Sequence, residues 1–242
     1  MTATAGHRPT GHFPISEGLT VTTFALVGAG SGLGLASARR FGAAGHEVAL
    51  LSRSPEHLDR LVADLTADGV RARGYTADVL DPATLTTALT NAAEELGPVE
   101  ILQFSPVPHA DFMKPVLDTT ATGLDDPLAF SVKAPVTCVH AVLPGMRALG
   151  RGTLLFVNGG SAVRPHPERA GTSIAFAAES AYAAMLHEAL APENIHAAQL
   201  IVPGAIRPDS EHSSPTALAE RLYALHTHRD GFRHYAEPMP AA

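Results

Sequence analysis

The stretch that most constrains this chain is Phe24–Gly34, FALVGAGSGLG, where four apolar residues run directly into a cluster of glycines. A run with helical spacing follows through Ala36, Ala38, Phe41 and Ala44, and Gly45 closes it. Strand, tight turn and helix are read from these residues. A buried strand is a short apolar run, glycine permits the turn, and a helix start made of small residues leaves its N–H groups open to a ligand. Such a start suits phosphate, and the stretch is read as a cradle for the pyrophosphate of a dinucleotide.

The rest of the chain repeats the alternation. Strands are predicted over Glu47–Ser52, Val70–Thr76, Val99–Phe104, Thr153–Val157 and Ile195–Val202, with a short one over Phe232–Tyr235. Helices are predicted after Ser54-Pro55, after Asp81-Pro82, over Asp125–Met146, over Ser173–Leu190 and over Ala217–Leu225. Leu58, Leu61, Val62 and Leu65 give the first of these its apolar face. This order implies right-handed crossovers and an α/β fold: a single-domain, Rossmann-like, doubly wound parallel sheet with helices on both faces. The domain is placed at residues 23–242, behind a flexible extension over 1–22. Ligands in such sheets bind at the carboxyl edge, so function is sought in Ser105–Thr122, Asn158–Thr172 and Pro203–Ser214.

Composition narrows the classes. A formal charge of -7 argues against nucleic acid as the partner. A single cysteine, Cys138, makes no intrachain disulfide and suits a reducing cytoplasm. No run is read as reaching membrane-spanning length, and residues 1–20 lack the apolar core of a secretory signal, so a cytoplasmic protein is the expectation. The 13 histidines are scattered without zinc-ligand spacing, and no metal site is predicted.

Gly28-x-x-x-Gly32-x-Gly34 after a first strand resembles the short-chain dehydrogenase/reductase family. Further features fall in that family's order: Asp78-Val79 after the third strand, Leu143-Pro144-x-Met146 at the end of the long helix, Gly152–Asn158 leading to the active-site serine register, and Pro203-Gly204 after the sixth strand. The resemblance implies a nicotinamide dinucleotide held by Gly28, Ser31, Gly32, Leu33 and Gly34 at the pyrophosphate, Asp78 and Val79 at the adenine, and Ser105, Pro106, Pro203, Gly204 and Ile206 towards the nicotinamide. The second strand ends in Ser52-Arg53, with no acid before Glu56. A guanidinium there suits a ribose 2′-phosphate, which favours NADP(H) over NAD(H). Relatives also imply a homodimer or homotetramer, formed through Asp125–Met146 and an alanine-rich Ser173–Leu190 that presents Ala175, Ala177, Ala178, Ala181, Ala183 and Ala184.

The catalytic set departs from the family. Its Tyr-x-x-x-Lys falls on Phe176-Ala177-Ala178-Glu179-Ser180, its helix asparagine on Ser131 and its serine on Gly159. Tyr182 is followed four residues on by Leu186, and no lysine occurs after Lys133, so no shift of register recovers the pair. Ser161 and His166 remain as candidate catalytic groups, a hydroxyl and an imidazole near the old serine position. His109 is a weaker candidate of the same kind, and Arg164 and Arg207 are candidates for an acidic substrate group or for plain surface. Glu179, one position off the dyad face, is read as solvated or at an interface. Three functions stay open: an NAD(P)-dependent oxidoreductase with a non-standard active site acting on a small carbonyl or alcohol, a non-redox lyase, isomerase or cyclase on the same scaffold, and a catalytically inert NADP(H)-binding or regulatory protein.

Overall fold

The computed structural model describes residues 21–240, and the extension assigned to residues 1–22 lies almost wholly outside them. The strands are β1 (Thr23–Val27), β2 (Glu47–Ser52), β3 (Ala72–Thr76), β4 (Val99–Phe104), β5 (Gly152–Gly159), β6 (Ile195–Val202) and β7 (Arg233–Tyr235). They form one seven-stranded sheet in the order β3-β2-β1-β4-β5-β6-β7, with every pairing parallel. The chain winds outward from β1 to β3 and then returns to β4 beside β1. That reversal opens a crevice at the carboxyl ends of β1 and β4, where ligands of such sheets bind.

The helices are α1 (Leu33–Ala43), α2 (Pro55–Ala67), α3 (Pro82–Leu96), α4 (Asp125–Leu128), α5 (Ala134–Leu149), α6 (Ala170–Leu190) and α7 (Pro215–His228). Alternate strand residues face opposite layers. Phe24 and Leu26 pack with Phe41, Leu58, Leu65 and Leu222 under α1, α2 and α7. Ala25 and Val27 pack with Leu89, Cys138, Val142 and Ala183 under α3, α5 and α6. Local chemistry sets the helix starts. Ser54 Oγ accepts from His57 N at 3.2 Å before α2, and Asp81 Oδ1 accepts from Ala83 N at 3.0 Å before α3.

The long helix differs from the continuous Asp125–Met146 rod read from sequence. It runs to Leu149, and residues Ala129–Lys133 between α4 and α5 form a π turn in which Ala134 N reaches back to Ala129 O. Pro135 supplies the reason: it has no N–H for the carbonyl of Ser131 and its ring crowds that carbonyl, so the helix widens there. The whole stretch Thr122–Leu149 is helical and, by length and a mean hydropathy of 1.3, apolar enough to cross a membrane, contrary to the sequence expectation that no run reaches that length. Here it is a packing helix: Cys138, Val139, Val142 and Met146 are buried against the sheet.

Candidate cofactor and active site

Gly28 leaves β1 at φ +87°, and a Cβ there would stand 2.4 Å from Pro106 Cα. Glycine is required both for the backbone angle and for the close approach of the loop after β4. Gly28 N and Ala29 N donate to Leu51 O at 3.1 and 3.0 Å, which ties the turn to β2. Beyond it, ideal Cβ positions on Gly30 and Gly32 meet nothing within 4 Å, so that side of the turn is open. Gly32 caps α1 with no side-chain hydrogen bond, and the first turn carries no acid. The free N–H groups and the positive end of the helix dipole therefore face open space, which is the donor set a pyrophosphate needs.

The cradle forms one end of a cavity of about 1130 Å³, whose wall includes Gly28, Gly32, Leu33, Gly34, Ser105, Pro106, Pro203, Gly204 and Ile206. Ser31, Ser52, Arg53, Asp78 and Val79 lie outside that wall. Arg53 is exposed just past the end of β2. Asp78 Oδ1 accepts from Leu80 N at 2.9 Å, so that carboxylate closes its own turn.

The other end of the cavity is built by the loop after β5 and the start of α6. Ser161 and His166 both line it. Ser161 sits in the 3-10 turn Gly160–Ala162. His166 Nδ1 accepts from Glu168 N at 3.2 Å and caps the turn Pro167–Arg169, which leaves Nε2 as the protonated nitrogen of the neutral ring. Arg164 and Arg169 stand on the same wall, and Arg164 Nη1 donates to Pro240 O, so the C-terminal residues Met239 and Pro240 help to close the cavity. Arg207 and His109 are not part of the wall, and His109 Nδ1 accepts from Asp111 N in a local turn.

At the dyad positions, Phe176 lines the cavity and is 7% exposed. Ser180 is buried and turned into a polar network. Its Oγ donates to Gln199 Oε1 at 2.9 Å and accepts from Arg233 Nη2 at 2.7 Å, while Arg233 Nε donates to Gln199 Oε1 at 2.9 Å. Gln199 Nε2 in turn donates to Asn158 Oδ1 at 2.8 Å. A guanidinium from β7 thus ends on Ser180, the position on which the resemblance sets the family's lysine.

Glu179 corrects the sequence reading. It is 1% exposed, not solvated, and burial raises its carboxyl to about 8, with Asn158 and Ser131 as the groups that oppose the shift. Its Oε1 has no hydrogen-bond partner, and neither have Asn158 Nδ2 and Thr172 Oγ1. The error has a physical source. A helix covered on one side exposes the residue next to its inner face, but α6 packs both on β6 and on the π turn, so a wider arc of it is buried. The same two-sided packing buries Ala175 and Ala183, which sequence reasoning had placed on an interaction surface.

The sequence names the Asn158–Thr172 loop and Phe176 as places for function, but not which loop residues form the wall. Asn158, the first residue of that expected loop, instead lies within β5, which continues to Gly159, and it lines the cavity. Thr172 and Phe176 lie one turn apart on α6, a spacing legible in the sequence once that helix starts at Ala170. Arg169, Met239 and Pro240 carry no local motif.

The model of the family described as short chain dehydrogenase matches residues 22–218. A dehydrogenase/reductase SDR family member 4 from Sus scrofa is 32% identical over 176 residues, which are 73% of this chain and 62% of that protein. The matched region thus spans less than two thirds of that relative's length. Among solved structures, a short-chain dehydrogenase from Rhodopseudomonas palustris superposes with a TM-score of 0.79 at 27% identity, covering 90% of this chain and 98% of that one. An L-sorbose reductase from Gluconobacter frateurii, solved with NADPH and L-sorbose, has the same fold, with a TM-score of 0.81 at 21% identity over 91% and 97% of the two chains. With its glycine turn, its sheet order and the matched residues 22–218 in agreement, the chain belongs to the short-chain dehydrogenase family.

Proposed function

We propose that this protein is an NADP(H)-dependent oxidoreductase acting on a small carbonyl or alcohol, with a proton donor other than the family tyrosine. The observation that carries the reading is the uncapped, glycine-lined start of α1 opening into the same cavity as the Phe176 wall. One end of that cavity suits a pyrophosphate and the other has room for a small substrate. Gly32, Leu33 and Gly34 would hold the pyrophosphate, and Pro203, Gly204 and Ile206 would border the nicotinamide. When bound, the dinucleotide supplies the hydride, and the chain positions the substrate and manages the proton.

Arg53 at the end of β2 supports NADP(H), as does the NADPH held by the Gluconobacter relative. Ser161 and His166, both on the cavity wall, would be the groups that contact a substrate oxygen. On α6, exposed Ile174, Ala177, Ala181 and Met185 follow one another at helical spacing and support association of copies into a homodimer or homotetramer.

The test is NADPH titration followed by absorbance assays over a panel of aldehydes and ketones. Micromolar NADPH binding that weakens roughly tenfold or more in Arg53→Asp supports the cofactor assignment, since a bidentate phosphate contact is lost. Turnover of any carbonyl supports the reaction. Phe176 and Ser180 at the dyad positions favour a second reading, a non-redox enzyme on this scaffold. NADPH binding without oxidation of NADPH across the whole panel would decide for it, or for a binding protein.

A further inference from the structure

Three glutamates are buried among the described residues. Glu47 pairs with Arg71 at 2.8 Å and Glu100 with Arg151 at 2.8 Å, whereas no cation pairs with Glu179. An ionised carboxylate in that position would be desolvated without compensation, so the group keeps its proton. The elements packed around it bear this out. The π turn contributes Ser131, with Lys133 exposed beyond it, and β5 contributes Asn158. Arg233 is spent on Ser180 and Gln199.

The hydrogen-bond chain next to Glu179 has a direction that chemistry enforces. Arginine only donates, so the Gln199 atom it touches must be the oxygen. The Gln199 amide nitrogen then faces Asn158, whose oxygen must accept from it. Asn158 is therefore held with its NH₂ group turned the other way, on the side of the Glu179 carboxyl. Neither amide can flip without setting donor against donor. Asn158 also lines the cavity, and along α6 Thr172 and Phe176 line it on the turns before Glu179. Three buried polar atoms lack partners, Asn158 Nδ2, Thr172 Oγ1 and Glu179 Oε1; the first two belong to wall residues, and Glu179 lies behind the wall, three residues past Phe176 on α6.

We propose that Glu179 is a proton store for the cavity, supplying through a water held at Asn158 the proton that the phenylalanine at position 176 cannot give. The proposal rests on the oxidoreductase reading. In the reductive direction hydride reaches the carbonyl carbon, and the π pair of C=O moves onto oxygen. That oxygen takes a proton from the water, the water takes one from the Glu179 carboxyl, and the carboxylate regains its proton from solvent after turnover. Alcohol oxidation runs the same transfers backwards. Arg233 and Gln199 are positioning residues, fixing which face Asn158 presents.

The experiment combines infrared spectroscopy with pH-dependent kinetics on wild type, Glu179→Gln and Arg233→Met. Glutamine keeps the size and burial of the side chain and removes the proton. The wild type should show a protonated-carboxyl C=O band at pH 7 that Glu179→Gln lacks. With a substrate from the panel above, reductive kcat should fall as pH rises through about 8 in wild type. Glu179→Gln should lose roughly 10²-fold in kcat, lose that pH limb and keep its NADPH affinity. Arg233→Met should lower kcat by a smaller factor and leave the band in place. Absence of the band overturns the proposal whatever the kinetics. A band combined with wild-type kcat and pH profile in Glu179→Gln overturns it too, leaving the acid a structural group. A wild type that turns over no carbonyl overturns the oxidoreductase reading and the relay with it, and the band then still reports a neutral buried acid independently of catalysis.

Discussion

Position 180 shows how one residue reorganises its neighbourhood. With serine there, the pocket behind α6 is filled by the Arg233 guanidinium, Gln199 and Asn158 in a chain of hydrogen bonds of 2.7–2.9 Å. Restoring the family's lysine would set an ammonium beside that guanidinium in a buried site. Ser180→Lys should therefore destabilise the fold by about 2–4 kcal/mol, read from urea denaturation, and Arg233→Ser in the same chain should recover part of the loss. Phe176→Tyr alone changes little, since its ring already lies on the cavity wall. That no lysine follows Lys133 at any register is legible in the sequence. What contacts Ser180 is not, because Arg233 is 53 positions from Ser180 and no local pattern links them. Gly28 is the opposite case. Its φ of +87° and its contact with Pro106 mean that Gly28→Ala should cost about 1–3 kcal/mol and weaken NADPH binding, measured by denaturation and by titration.

At the scale of elements, sequence reading succeeds where the signal is local. Apolar runs give the strands, and capping side chains give the helix starts. Asp81→Ala should remove the acceptor for Ala83 N and Thr84 N and lower stability by about 1 kcal/mol, seen as a lower urea midpoint with unchanged slope. The π turn at Ala129–Lys133 was missed, although Pro135 announces a disturbed bond four residues back. A proline early in a helix is ordinary, and only the presence of helical residues on both sides turns it into a widened turn. That turn packs Ser131 against α6, which is why the element matters to the site. Glu179 was misplaced for a related reason: apolar periodicity reports one buried face, whereas α6 is buried on two.

Across the whole molecule the two edges of the sheet do different work. The carboxyl edge carries the cavity. The opposite edge carries His46 and His226, with ring centroids 5.8 Å apart, where Thr22 Oγ1 and Thr153 Oγ1 each hold one imidazole at 3.0 and 2.9 Å. Burial lowers both, His226 to about 4, with the neighbouring imidazole adding to the shift in His226. A neutral imidazole in the fold and a charged one in the unfolded chain mean that the unfolded state binds more protons below pH 6.5. The stabilisation this pair contributes is therefore complete above pH 6.5 and is lost as pH falls towards 4, while Glu179, raised to about 8, contributes with the opposite sign over part of that range. Thermal melts between pH 7 and 4.5 should show this share as the difference between wild type and His226→Gln, wild type losing more stability than the variant as pH falls, each unit of pKa separation being about 1.4 kcal/mol. These groups lie far from the cavity, so NADPH affinity at pH 7 should be the same in His226→Gln and wild type.

The parallel α/β sheet and its glycine turn could be read from the chain alone, because each is written in the identity or spacing of residues close along it. Only the tertiary structure decided what the departure from the family leaves in place. It set Arg233 on Ser180, turned Asn158 through Gln199, and closed Glu179 away from water between the sheet and the π turn. The physical reason is that burial is a property of all the elements packed around a side chain, and the charge state of a carboxyl follows its burial. The phosphate cradle at Phe24–Gly34 could be read from eleven residues, whereas the burial of Glu179 depends on the sheet and the π turn meeting α6 on two sides.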